Sequence, residues 1–149
     1  MKILGIGHVG VVVKSLEKAI AFYNGVLGLE IAEAPGEWVT DYRETRAMGL
    51  PDCLHRIATL KAPDGSKIEL VEFEEPRALE GSEVADYNGK HHISFLVDDI
   101  DEWVKKLEEH GLKPFLAPLA YETEEAESGT AYWMQLLDPF GVIIEIMQY

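Results

Sequence analysis

Apolar and polar positions follow one order along this chain, and then follow it again. Ile6–Val13 is rich in branched apolar residues and predicts a buried strand. Ser15 then stands as a helix N-cap before Leu16, Ala19, Ile20, Tyr23, Val26 and Leu27 at helical spacing, with Gly28 as the stop. A short strand is expected near Leu29–Glu33. After an irregular loop comes a hairpin, Arg56–Ala62 against Lys67–Phe73, turning at Asp64-Gly65. The second copy opens with a strand from His92. Asp99 and Glu102 then offer a capping box, and Ile100, Trp103, Val104 and Leu107 an apolar stripe that Gly111 ends. A short strand near Lys113–Leu116 and a hairpin, Tyr132–Leu137 against Val142–Met147 around Pro139-Phe140, complete it. The unit is β-α-β-β-β, twice. Residues 1–149 thus read as a single domain with a first module over 1–74, a linker over 75–89 containing Pro76, Gly81 and Gly89, and a second module over 90–149.

The repeat is visible in chemistry as well as in hydropathy. His8-Val9-Gly10-Val11-Val12-Val13 corresponds to His92-Ile93-Ser94-Phe95-Leu96-Val97, an offset of 84 residues (92 − 8). Asp64-Gly65-Ser66-Lys67-Ile68-Glu69 corresponds to Asp138-Pro139-Phe140-Gly141-Val142-Ile143-Ile144-Glu145, with the glutamates 76 apart (145 − 69). A tandem duplication accounts for all of these matches together. Each histidine and each glutamate interrupts an apolar strand. A lone one is most simply a hydrogen-bonded rim residue, but a carboxylate buried without a partner costs several kcal/mol. Four such interruptions at duplicated positions, His8, Glu69, His92 and Glu145, make a ligand set for one divalent metal. Nitrogen and carboxylate donors leave Zn, Ni, Co, Mn and Fe(II) all open. His91 alternates to the other side of its strand from His92, and His110 suits a helix C-terminus.

Hairpin register decides which neighbours share a face with the glutamates. A two-residue loop at Asp64-Gly65 places Leu60 opposite Glu69, with Ala58 and Arg56 on that face. The same counting places Met134 opposite Glu145 and Tyr132 opposite Met147, and turns Trp133 towards the helix layer. Arg56, Tyr132 and Met134 are therefore the expected substrate-binding walls.

Composition narrows the partners. At 149 residues, 47% hydrophobic and 27% charged, the chain suits one soluble globular core. Thirteen basic against 27 acidic residues give a formal charge of −14, which repels nucleic acid and anionic lipid and leaves a small molecule as the expected partner. No apolar run reaches the length of a membrane span, and Met1-Lys2-Ile3-Leu4 leads towards a strand rather than a signal peptide. A single cysteine, Cys53, forms no internal disulfide, so a cytoplasmic location is expected.

The duplicated β-α-β-β-β unit, with His8 and His92 opening first strands and Glu69 and Glu145 in last strands, resembles the vicinal oxygen chelate superfamily. That group includes glyoxalase I, methylmalonyl-CoA epimerase, extradiol dioxygenases and the bleomycin and fosfomycin resistance proteins. The resemblance covers nearly the whole chain. It implies an α+β fold in which tandem βαβββ modules form a curved, eight-stranded mixed sheet cup around one divalent ion. It also implies a homodimer and no organic cofactor. A second carboxylate resembles the isomerising branch, and Gly89-Lys90-His91-His92-Ile93-Ser94-Phe95 with Val97-Asp98-Asp99-Ile100 is similar to the epimerases. The expected function is a metal-dependent lyase or isomerase that abstracts a proton alpha to a metal-polarised carbonyl. In it Glu145 is the catalytic base and Glu69 mainly completes the metal shell. The alternatives are an Fe(II) extradiol-type ring-cleaving dioxygenase and a non-catalytic ligand-sequestering protein. Glu69 leads into Leu70-Val71-Glu72-Phe73 rather than glyoxalase I's Thr-x-Asn-Trp-Gly stretch, and the Trp38–Leu54 insertion, with Arg43 and Arg46, matches no assigned motif.

Overall fold

The computed structural model describes residues 7–40, 43, 53–74 and 92–149. The chain divides into two compact units, Met1–Leu79 and Glu80–Tyr149. The 75–89 linker and most of the Trp38–Leu54 insertion lie outside the described residues, as does His91.

The first unit runs β1 (Val9–Val13), α1 (Leu16–Tyr23), β2 (Glu30–Glu33), β3 (His55–Lys61) and β4 (Lys67–Phe73). Its strands hydrogen-bond in the order β1-β4-β3-β2, with β1 and β4 parallel and the other neighbours antiparallel. The second unit repeats this with β5 (His92–Leu96), α2 (Ile100–Glu109), β6 (Leu119–Glu122), β7 (Thr130–Leu137) and β8 (Ile143–Gln148), in the order β5-β8-β7-β6. Among the described residues, two four-stranded mixed sheets, each with one helix of two turns or more, make the α+β architecture that the periodicity implies. The second short strand, however, begins at Leu119, six residues beyond Lys113 (119 − 113). Pro114 and Pro118 deny that stretch two ladder donors, and Phe115 N–H donating to the Gln135 carbonyl, 2.8 Å, ties it down instead.

Each helix starts where a side-chain oxygen meets an orphan backbone donor. The Ser15 hydroxyl accepts from Lys18 N–H at 3.3 Å, and the Asp99 carboxylate from Glu102 N–H at 3.0 Å. The Glu102 carboxylate pairs with Lys105 at 2.6 Å rather than closing the capping box. A second acceptor reaches each helix from the last strand. Glu72 accepts from Leu16 N–H at 2.9 Å, and Gln148, its duplicate, accepts from Ile100 N–H at 2.8 Å. These bonds fix each helix against one face of its own sheet. Val11, Val13, Ala58, Leu60, Ile68 and Leu70 are buried on that face in the first unit, as are Met134, Leu136, Ile144 and Ile146 in the second. Leu16, Ala19, Phe22 and Tyr23 of α1 and Ile100 and Leu107 of α2 are buried as well. Each such large side chain contributes about 1.5–3 kcal/mol on leaving water.

Register corrects one expectation in both units. Ala62 N–H donates to the Ser66 carbonyl, and Asp138 N–H to the Val142 carbonyl, both at 2.9 Å. Each hairpin loop therefore holds three residues, Pro63-Asp64-Gly65 and Pro139-Phe140-Gly141, rather than two. The proline suits the first position of a tight turn, closed by Gly65 N–H to Ala62 O and Gly141 N–H to Asp138 O. The glycine takes the left-handed third position, at φ +92° and +86°. Buried Asp138 braces its loop by accepting from Phe140 and Val142 N–H, each at 2.8 Å. One extra loop residue moves every pairing by one and exchanges the two faces of β3 and of β7 relative to the expected arrangement.

Candidate functional site

Glu69 lies opposite Thr59 on β3 and Gly10 on β1, and Glu145 lies opposite Gln135 on β7 and Ser94 on β5. In each unit the histidine sits two residues before the glutamate's parallel partner, on the face away from the helix. This diagonal brings the side chains together. His8 Nε2 is 3.3 Å from Glu69 Oε2, and His92 Nε2 is 3.8 Å from Glu145 Oε1. Within each unit the expected residues thus meet as an imidazole–carboxylate pair. The imidazoles are about half exposed, whereas the Glu145 side chain is 13% and Glu69 30% exposed.

The three expected substrate walls lie elsewhere. Arg56 pairs with Glu72, not Phe73, and so shares the helix-side face. Its guanidinium donates to Glu72 from Nε at 3.0 Å and Nη2 at 2.6 Å, meets Glu17 at 2.8 Å, and lies 4.9 Å from the centre of the Trp38 ring. Burial disfavours its charge, but bonds to Glu72 and then Glu17 outweigh that and raise it above the ordinary arginine value. Arg56 is a brace at the start of α1. Tyr132, its duplicate, pairs with Gln148, and Met134 pairs with Ile146, both on the helix side of the second sheet.

Gln135 and Trp133 take the places on the Glu145 face that a two-residue loop gives to Met134 and Tyr132. Gln135 Nε2 donates to Glu145 Oε2 at 2.8 Å. Beside it a shallow apolar cavity of about 110 Å³ opens between Phe115, Leu116 and Leu119 and the β7 residues Trp133, Met134 and Gln135. Gly141, three places after Asp138, is the signal for the three-residue loop that puts both residues on this face, as Gly65, three places after Ala62, is in the first hairpin. Buried His55 lies on the Glu69 face against Phe73, ring centres 6.0 Å apart.

A chain of this pattern implies a divalent metal, and each pair can be tested for fit. Metal–ligand bonds of about 2.1 Å at tetrahedral or octahedral angles hold neighbouring donor atoms about 3.0–3.4 Å apart. The His8–Glu69 spacing falls in that range and the His92–Glu145 spacing lies 0.4 Å beyond it (3.8 − 3.4). Among the described residues no three His, Cys, Asp or Glu side chains cluster closely enough to hold an ion. The His8–Glu69 pair fits two neighbouring positions on an ion as it stands, and the His92–Glu145 pair would have to close by about 0.4 Å to do so.

The family model of the Glyoxalase/Bleomycin resistance protein/Dioxygenase superfamily matches residues 5–146. The chain belongs to this superfamily. Among its relatives, a 2-epi-5-epi-valiolone epimerase from an Actinomyces species is 26% identical over 97% of this chain and 79% of its own length. A glyoxalase family protein from Bacillus cereus has a crystal structure that superposes with TM-score 0.82 at 28% identity, covering 99% of this chain and 95% of its own. A glyoxalase/dioxygenase from Nostoc punctiforme shares the fold at TM-score 0.65 and 22% identity, covering 97% of this chain and 90% of its own. These superfamily relatives span the full βαβββ duplication, so the repeat read from hydropathy is the fold's own repeat. Among the described residues no helix is long and apolar enough to cross a membrane.

Proposed function

We propose that this superfamily member is a metal-dependent enzyme of the glyoxalase/epimerase type, removing the proton alpha to a carbonyl group of a small substrate. The observation that carries the reading is the duplicated pair: His8 with Glu69 and His92 with Glu145, at the same diagonal of the same strand pairing in both sheets. Imidazole and carboxylate are donor types that divalent ions take. Such an ion, when bound, supplies a Lewis acid that polarises a carbonyl oxygen and so acidifies the neighbouring C–H. A relative named as an epimerase supports the same chemistry, since inverting a carbon centre next to a carbonyl means removing a proton and returning it.

Glu145 is the base in this reading. It is the less exposed carboxylate, and its Oε2 is held by Gln135, so Oε1, on the His92 side, is the oxygen open both to an ion and to the substrate proton. Glu69 serves mainly as a ligand. Two measurements test the proposal. Metal analysis of protein purified without chelator should find a divalent ion in the native chain and much less in His92→Ala; equal content in both would remove the metal centre. With 2-epi-5-epi-valiolone and related α-oxygenated ketones, solvent deuterium should enter the α-carbon. Glu145→Gln should slow that exchange about 10²–10⁴-fold, and Glu69→Gln much less. The reverse order would exchange the two roles, and loss in neither would remove both glutamates from proton transfer.

A further inference from the structure

Duplication leaves two equivalent carboxylates, yet their surroundings differ at one position. Opposite Glu145 stands Gln135, long enough to bring its amide to Oε2 at 2.8 Å. Opposite Glu69 stands Thr59, whose buried hydroxyl turns instead to Glu33 Oε2 at 3.3 Å. Gln135 is itself anchored, because its carbonyl accepts from Phe115 N–H at 2.8 Å. A carboxylate on a flexible stem loses rotamer freedom when it ligates. A donor already holding one of its oxygens removes part of that cost beforehand and fixes which oxygen is presented.

We infer that Gln135 is a positioning residue for Glu145: its side-chain amide holds Oε2 and turns Oε1 towards His92, a support that Thr59 does not give the duplicated Glu69. The two carboxylates are consequently unequal: Glu145 is held by its cross-strand neighbour and Glu69 is not, because Thr59 turns to Glu33. This rests on the metal reading above. It assigns Gln135 no contact with substrate. Its effect passes through the orientation of a ligand.

The test is Co(II) titration of the full chain, following both the visible ligand-field absorption and the dissociation constant, with thermal unfolding of the apo protein as the control for folding. Gln135→Met keeps the length of the side chain and removes the donor. It should weaken Co(II) binding about 10–100-fold and change the absorption envelope, with little change in apo unfolding temperature. Thr59→Val, at the duplicated position, should leave affinity within about twofold. Unaltered Co(II) affinity and spectrum in Gln135→Met would overturn the inference while leaving the metal reading in place. Should the unsubstituted chain bind no Co(II), the metal reading itself fails and takes this one with it. If Gln135→Met does not fold, Gln135→Asn, which withdraws the amide by one methylene, is titrated with the same expected loss and the same overturning result.

Discussion

Replacing Glu72 separates the two duties this side chain performs at the start of α1. In the folded chain its Oε2 accepts from Leu16 N–H and from Arg56 Nε and Nη2, and the side chain is only 13% exposed. Glu72→Leu removes all three bonds. Losing the acceptor at a helix start costs about 0.5–2 kcal/mol. Hydrogen bonds between charged groups are worth about 1.5–3 kcal/mol each when well shielded. Arg56 keeps Glu17 and the Trp38 face, and the new leucine gains some apolar burial, so the net loss is about 2–4 kcal/mol. Glu72→Gln retains a carbonyl oxygen for Leu16 N–H. The second unit shows that an amide suffices for that duty, since Gln148 accepts from Ile100 N–H at 2.8 Å. Only the charge opposite Arg56 is lost, which limits the expected cost to about 1–2 kcal/mol. Gln148→Leu, with no arginine beside it, should cost about 1 kcal/mol. Urea unfolding followed by circular dichroism, extrapolated to water, gives the three values. Equal losses for Glu72→Leu and Glu72→Gln would refute the division of duties, and a loss below about 0.5 kcal/mol for Glu72→Leu would refute the network itself.

Gly65→Ala and Gly141→Ala place a Cβ on left-handed residues, and around Gly65 nothing crowds the new methyl, so backbone strain alone should lower stability by about 1–2 kcal/mol. Unchanged or raised unfolding temperatures would argue against the three-residue loops. The Tyr149 phenol is pushed up to about 12, first by its hydrogen bond to Glu125 and then by burial, so the fold favours its neutral form. Its contribution is complete below the ordinary tyrosine range near pH 10 and is lost as pH rises through about 12. Ultraviolet titration should find one late-ionising tyrosine that disappears in Tyr149→Phe, and an unchanged titration curve would remove the bond.

Sequence by itself determined the duplicated β-α-β-β-β order, both helices with their caps at Ser15 and Asp99, and the matching places of the histidines and glutamates in the two copies. Those features are local or periodic. Branched apolar runs make strands whatever surrounds them, a capping oxygen acts within its own turn, and a duplication writes the same chemistry twice. What the sequence left to the tertiary structure was register. One residue in the length of a hairpin loop is a small local matter, yet side chains alternate along a strand, so it decides whether Arg56 or Thr59, and Met134 or Gln135, stands beside a glutamate. Because the loop is duplicated, a two-residue reading errs in the same way in both units. The β6 strand moved for a related reason, since Pro114 and Pro118 leave it to pair only where β7 presents free carbonyls and amides beyond them. Which strand faces are covered, and by what, is settled by packing the whole sheet at once, and no window along the chain contains that information.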